Sequence, residues 1–178
     1  GPMGRQHWPP SPTRGFTCRC RRLLRSYCAG KVAVSDWWTT LPLPDLTARQ
    51  WESLCDGCAK CCLHKLEDED TGEVFYTRVR CRYLDEQNCR CSDYANRSVL
   101  MPNCIKLRPG ELDELHWLPS TCAYRLRAEG KPLPVWHPLV SGSDESVHDA
   151  GISIRGRAVS DEYVHPDGYD EHIVHWVE

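Results

Sequence analysis

No stretch of about 18 consecutive apolar residues occurs in the 178-residue sequence, so a membrane-spanning helix is excluded on hydropathy. The N-terminal segment is basic but has no apolar h-region of the kind that marks a secretory signal, so a reducing, cytoplasmic setting is expected. A P-loop, a GxGxxG and a nucleophile elbow are absent, which removes the usual support for kinase, dinucleotide-enzyme and serine-hydrolase readings. Acidic residues are missing from positions 1–31, where seven basic residues stand (Arg5, Arg14, Arg19, Arg21, Arg22, Arg25 and Lys31). Residues 32–178 therefore carry 15 basic against 25 acidic residues, a balance of −10. A body of that charge is a poor electrostatic match for nucleic acid, and neither a nucleic-acid nor a membrane partner is expected.

What remains divides into two regions. Residues 1–35, with Pro9, Pro10 and Pro12 and no helical or strand period, are expected to be a disordered basic tail. Gly1 and Pro2 ahead of Met3 resemble a cloning scar before an initiator methionine. A basic RNA-binding arm is the alternative use of this tail, and its Cys18, Cys20 and Cys28 are weak ligand candidates. Residues 36–178 are expected to form a single domain, since 40% hydrophobic content leaves enough apolar material for a core.

Local signals become legible from Leu46. Thr47-Ala48-Arg49-Gln50 fits a capping box and Leu46 with Trp51 fits a hydrophobic staple, predicting a helix from Thr47 toward Leu54. Glu73 to Val79 is β-prone and follows the turn signal Asp70-Thr71-Gly72, so a strand is expected there. Pro109 to His116 reads as a short helix, and Ser120 to Glu129 as a better one stopped by Gly130 and Pro132. Ile152 to Val159 partly alternates and is expected to be one strand.

The sequence is rich in cysteine. CDGCAKCC sets Cys55, Cys58, Cys61 and Cys62 within eight residues, and Cys81, Cys89, Cys91, Cys104 and Cys122 follow. A lone CxxC is compatible with a redox couple, but two interlocked CxxC steps backed by five further cysteines point to metal ligation. A disulfide framework fits poorly, because nine is odd and no export signal is visible. One tetrahedral zinc takes four thiolates and one cubane iron–sulfur cluster also takes four. Two separate zinc sites leave one of the nine over, whereas three metals sharing bridging thiolates use them all. The adjacent Cys61 and Cys62 are expected to point apart and to serve different metals, which favours a polynuclear centre of zinc or iron, with an iron–sulfur cluster among the options.

Lys60, Arg80, Arg82 and Arg90 flank ligand candidates, and cations so placed offset thiolate charge. Glu67 to Asp70 is an acidic run read as a solvent-facing turn. Of the histidines, His64 alone is admitted as a ligand or as a group supporting the ligands. His116 and His137 sit among Trp117, Leu118, Trp136 and Pro138 and are expected to pack against core aromatics, as are Trp117, Trp136 and Tyr124. His148, His165, His172 and His175 show no HxxxH or facial-triad spacing.

QWESLCDGCAKCCLHKLEDEDTGE, RCRYLD, CRCSDYANR, MPNCIKL and ELHWLPSTCAYRLRAEGKPLPVWHPL together resemble the YcgN-type branch of the YkgJ-like cysteine-cluster proteins, over roughly residues 36–160. The hallmark CxxCxxCC is intact at Cys55, Cys58, Cys61 and Cys62, and the family's later cysteine ahead of x-x-Tyr matches Cys91 before Tyr94. The resemblance implies a small cytoplasmic protein that chelates zinc or iron, and it marks Cys89 and Cys122 as additions of this branch. Neither metal identity nor a reaction is implied.

The expected fold is an irregular, loop-rich α+β structure, with short helices and a minor sheet around the metals. Two functions fit: a centre holding more than one metal ion with a redox or metal-handling role, or a structural zinc module that presents a surface to a protein partner. The tail should be dispensable for either. Deleting residues 1–31 should leave metal content and the thermal transition unchanged, as measured by elemental analysis and calorimetry. Loss of a full metal equivalent would place a ligand at Cys18, Cys20 or Cys28.

Overall fold

The computed structural model describes residues 36–178, so the expected tail with Cys18, Cys20 and Cys28 lies outside the described residues. The first described elements are two short helices, α1 (Trp37–Thr40) and α2 (Ala48–Ser53). The predicted capping box at the start of α2 is present: Gln50 N–H donates to Thr47 Oγ1 at 3.2 Å and Thr47 N–H to Gln50 Oε1 at 2.9 Å. Leu46 and Trp51 pack against the same apolar cluster, as a staple requires.

The cysteine motif leaves α2 as a loop, tightens into a 3-10 turn over Lys60–Cys62, and enters strand β1 (Leu63–Glu67). β1 pairs antiparallel with β2 (Val74–Arg80), the strand expected after the Asp70-Thr71-Gly72 turn. In that turn, Asp68 Oδ1 accepts the Asp70 and Thr71 N–H groups at 2.9 and 2.8 Å, so the acidic run is an exposed, self-satisfied turn. A two-residue ladder joins β3 (Leu84–Asp85) to β4 (Arg90–Cys91). Short helices α3 (Arg97–Leu100), α4 (Ala123–Ala128), α5 (Pro138–Ser141) and α6 (Ser146–Asp149) follow. Pro109 starts a 3-10 helix that ends at Glu114, in the place of the short helix expected there. None of the described helices is long and apolar enough to cross a membrane.

One expected element is largely replaced. Only Val159–Ser160 (β5) of the alternating run is a strand, pairing parallel with the end of β2. Gly151 and Gly156 take left-handed backbone angles of 68° and 72°, which break extension on both sides. Between them Ile154 is fully buried, and its N–H donates to the Cys58 carbonyl at 3.0 Å. The residues that alternate in sequence thus form a plug against the cysteine loop.

The core has two parts. Leu54, Leu112, Leu118, Ala123, Tyr124 and Leu133 form one cluster, while Ala59, Leu63, Tyr76, Leu84, Cys89, Ile154 and Val177 form the other. Trp117 packs against both. Tyr124 donates its hydroxyl to the Trp51 carbonyl at 2.8 Å and Tyr76 to the Trp117 carbonyl at 2.7 Å, so both rings are core with a satisfied polar end. His137 is fully buried as expected, its Nδ1 accepting from Leu139 N–H at 3.0 Å, which leaves Nε2–H to donate to the Leu54 carbonyl at 2.9 Å. Burial lowers its pKa and keeps the ring neutral. His116, expected beside it, is exposed instead, because the chain turns there to bury Leu118 and Pro119.

Leu54 sits in the first cluster immediately before the cysteine loop. Leu54→Ala should cost roughly 2–5 kcal/mol in chemical denaturation, since it leaves a cavity under both the loop and His137. A change below about 1 kcal/mol would show that the site collapses to fill the void.

Candidate metal centre

The motif connects the two halves of the core, with Leu54 at one end and Ala59 and Leu63 at the other. Two positive backbone angles bend it: Gly57 at 78° and, rare for a residue with a side chain, Ala59 at 59°. Gly57 also admits the Arg90 side chain, since a Cβ there would lie 3.4 Å from the guanidinium. Asp56, Gly57, Cys58, Ala59 and Lys60 are all buried. The chain therefore buries Cys58 between two packed faces, with Cys61 and Cys62 half-buried and Cys55 at the exposed edge.

All nine cysteines among the described residues are free. Cys61 is the hub: Cys55, Cys58, Cys62, Cys104 and Cys122 all feel its charge. Cys81, Cys91 and Cys104 are likewise mutual neighbours, and Cys104 links that group to Cys61. Eight cysteines thus form one connected neighbourhood. Cys89 stands apart, buried in the core beside Ile154, with its thiol on the Glu86 carbonyl at 3.5 Å and with Ser153, Arg155 and Glu86 as its surroundings. Of the two cysteines marked as branch additions, Cys122 joins the group and Cys89 does not.

The environment mostly favours neutral thiols. Burial, followed by Asp56 and Cys61, pushes Cys58 far up, and burial followed by Cys61 raises Cys122 to about 12. Cys55 is exposed as a residue, but the protein crowded around its thiol, then Cys61 and Asp56, also takes it up to about 12. Cys61 moves the other way. Its largest lowering influence is a hydrogen bond with the Cys62 thiol, with the Lys65 ammonium adding to it. The adjacent thiols of Cys61 and Cys62 influence one another, Cys62 moving up while Cys61 moves down.

Lys65, which sequence reasoning overlooked, is the cation of this cluster. Its Nζ donates to the Cys61 and Leu63 carbonyls, both at 2.8 Å, and lies 5.0 and 4.9 Å from the Tyr76 and Trp117 ring centroids. Burial lowers its pKa, while Cys61, Cys62 and Cys104 pull it back up. The only sequence signal was its position four residues beyond Cys61. Two of the flanking cations are committed elsewhere, Arg80 donating to the Leu84 carbonyl at 2.7 Å and Arg82 to Asp161 at 2.9 Å, whereas Arg90 lies over Gly57 and acts to lower the Cys55 thiol. Lys60 is buried with Nζ 3.3 Å from Thr121 Oγ1.

Asp56 is the second group that spacing did not reveal. It is 5% exposed; Oδ1 accepts the Cys58 N–H at 2.9 Å, and Oδ2 is buried without a partner. His64 is anchored by Asp161, with Nε2 3.0 Å from Oδ2, and its ring lies against Tyr169. This ties the C-terminal segment to the start of β1. A cavity of about 630 Å³ lined by Arg49, Glu52, Ser53, Cys55, Arg90, Pro138, Leu139 and Asp144 opens onto Cys55.

The donor set suits a thiophilic ion. Eight thiols with a buried ammonium and an unpartnered buried carboxylate oxygen match the ligand chemistry of zinc or iron. Among the described residues, however, no three His, Cys, Asp or Glu side chains stand at the spacing that holds an ion without movement.

The described residues form a loop-rich α+β fold with eight of their nine cysteines in one neighbourhood. Residues 54–123 match the CxxCxxCC family, described as "Putative zinc- or iron-chelating domain". A UPF0260 protein of Sinorhizobium fredii is 53% identical over 140 residues, covering 79% of this chain and 90% of its own. One from Marinobacter nauticus is 51% identical over 146 residues, covering 82% and 99%, and one from Rhizorhabdus wittichii is 59% identical over 126 residues, covering 71% and 86%. No solved structure matches. The chain belongs to the UPF0260 family.

Lys65→Met keeps the apolar stem but removes the charge and two hydrogen bonds. It should lower stability by about 2 kcal/mol and weaken metal affinity, as read by denaturation and chelator competition. Equal affinity in the variant would show that the ammonium does not offset thiolate charge.

Proposed function

We propose that the protein holds more than one zinc or iron ion in a polynuclear centre, with Cys55, Cys58, Cys61, Cys62, Cys81, Cys91, Cys104 and Cys122 as ligands. The observation that carries this reading is the connected neighbourhood of eight thiols around Cys61, in which the adjacent Cys61 and Cys62 thiols shift one another. Adjacent thiols that sense one another would suit a shared or bridging position better than two independent tetrahedral sites. The Cys61 and Cys62 thiolates then belong to one cluster, in which either can bridge. Cys89 is excluded from the set, since it is packed in the apolar core with its own partners. Ligation requires thiolates, so the raised thiols lose their protons to solvent as metal binds, and the side chains draw together around it.

The centre does more than staple the fold. Eight thiols exceed the four of a structural zinc, and the cavity at Cys55 gives one edge of the centre an opening of the kind that closed structural sites lack. This supports a redox or metal-handling role, with the Cys55 edge as the place where an electron, an ion or a partner protein arrives. An iron–sulfur cluster is one form of this centre, and a reducing cytoplasmic location follows from the need to keep the thiols free. Cys122 in the ligand neighbourhood also supports placement in the YcgN-type branch of the family.

Protein purified anaerobically should carry more than one equivalent of zinc or iron by elemental analysis. Cys89→Ser should keep the full load, whereas Cys61→Ser should lose more than one equivalent, because bridged metals lose their neighbours together. A Cys61→Ser protein that loses a single equivalent with the rest unperturbed would leave separate single-metal sites instead.

A further inference from the structure

We infer that Asp56 supplies its Oδ2 as an oxygen ligand, making the centre a mixed thiolate–carboxylate site. Asp56 follows Cys55 directly and stands two residues before Cys58, and the Cys58 N–H on Oδ1 at 2.9 Å holds the carboxylate within the loop. Gly57, at a backbone angle of 78°, folds the chain back over it. Oδ2 is left buried with no hydrogen-bond partner among the described residues. Carboxylates in such surroundings are paired, protonated or bound to metal.

The nearby cations do not provide the pair. Lys60 points to Thr121, Lys65 holds the Cys61 and Leu63 carbonyls, and the Arg90 guanidinium lies over Gly57. None of them hydrogen-bonds Oδ2. The thiols of Cys55, Cys58 and Cys122 all lie within reach of the Asp56 charge. A cation arriving among those sulfurs supplies what Oδ2 lacks. Both zinc and iron accept carboxylate beside thiolate, and the harder oxygen makes Asp56 the ligand that exchanges most readily.

The inference rests on the metal-centre reading, and the test separates the two. The full chain is loaded with zinc, and metal X-ray absorption is recorded on the wild type, on Asp56→Asn and on Asp56→Ala. Asp56→Asn keeps an acceptor for the Cys58 N–H, so the loop geometry survives. The wild type should show an oxygen scatterer at about 2.0–2.2 Å beside sulfur at about 2.3 Å. Asp56→Asn should lose that scatterer and bind zinc at least tenfold more weakly in chelator competition, with an unchanged far-ultraviolet circular dichroism spectrum. Cobalt(II) in place of zinc should show the same change in its ligand-field bands. An all-sulfur shell in the wild type overturns the inference without recourse to any variant, as does unaltered affinity in Asp56→Asn. Wild-type protein that takes up no metal overturns both this inference and the reading beneath it.

Discussion

The structure depends on eight residues, Cys55 to Cys62, that must cross between two separate apolar clusters while carrying four thiols. Polar loops normally stay at the surface, because buried backbone groups need partners. This one is buried, and its groups are matched by specific contacts. The Cys58 carbonyl takes Ile154 N–H, the Cys58 N–H takes Asp56, and the Cys61 carbonyl takes Lys65. Remote parts of the chain are thereby committed to the motif. The Ile154 plug comes from near the C-terminus, Cys122 comes from the start of α4, and His64 holds Asp161.

The burial has an electrostatic consequence. Thiols removed from water resist ionisation, yet a metal ligand must be a thiolate. The protein places one ammonium, Lys65, against the Cys61–Cys62 pair, and there the first negative charge is favoured. Around that pair, burial pushes the thiols of Cys55, Cys58 and Cys122 up and so favours their neutral form. Among the described residues no three His, Cys, Asp or Glu side chains stand together closely enough to hold an ion. Coupling of metal binding to the final packing of the loop follows from that arrangement.

Several features were open to inspection in the linear sequence because their causes are local. The capping box at Thr47 depends on residues three apart, the β2 strand on a turn signal and a β-prone run, and the CxxCxxCC spacing on adjacent positions. Other expectations met non-local competition. The alternation in Ile152 to Val159 read as a strand, but glycines on both sides and the need to cap the Cys58 carbonyl made it a plug. His116 and His137 lie in similar aromatic surroundings along the chain, yet only His137 found a buried carbonyl to bind.

By itself the sequence determined that this is a cysteine-rich, loop-rich α+β domain with the short cysteine spacing of the CxxCxxCC motif, because residue type and spacing are properties of neighbours along the chain. Only the tertiary structure decided which cysteines share a neighbourhood. Cys89 and Cys91 are two residues apart, but Cys89, with a positive backbone angle of 53°, turns into the apolar core while Cys91 stays with Cys81 and Cys104. Tertiary packing likewise brought Lys65 to the Cys61 carbonyl and left Asp56 Oδ2 without a partner. Each of these depends on which distant segment covers a side chain, and that is decided by how two apolar clusters close around one polar loop.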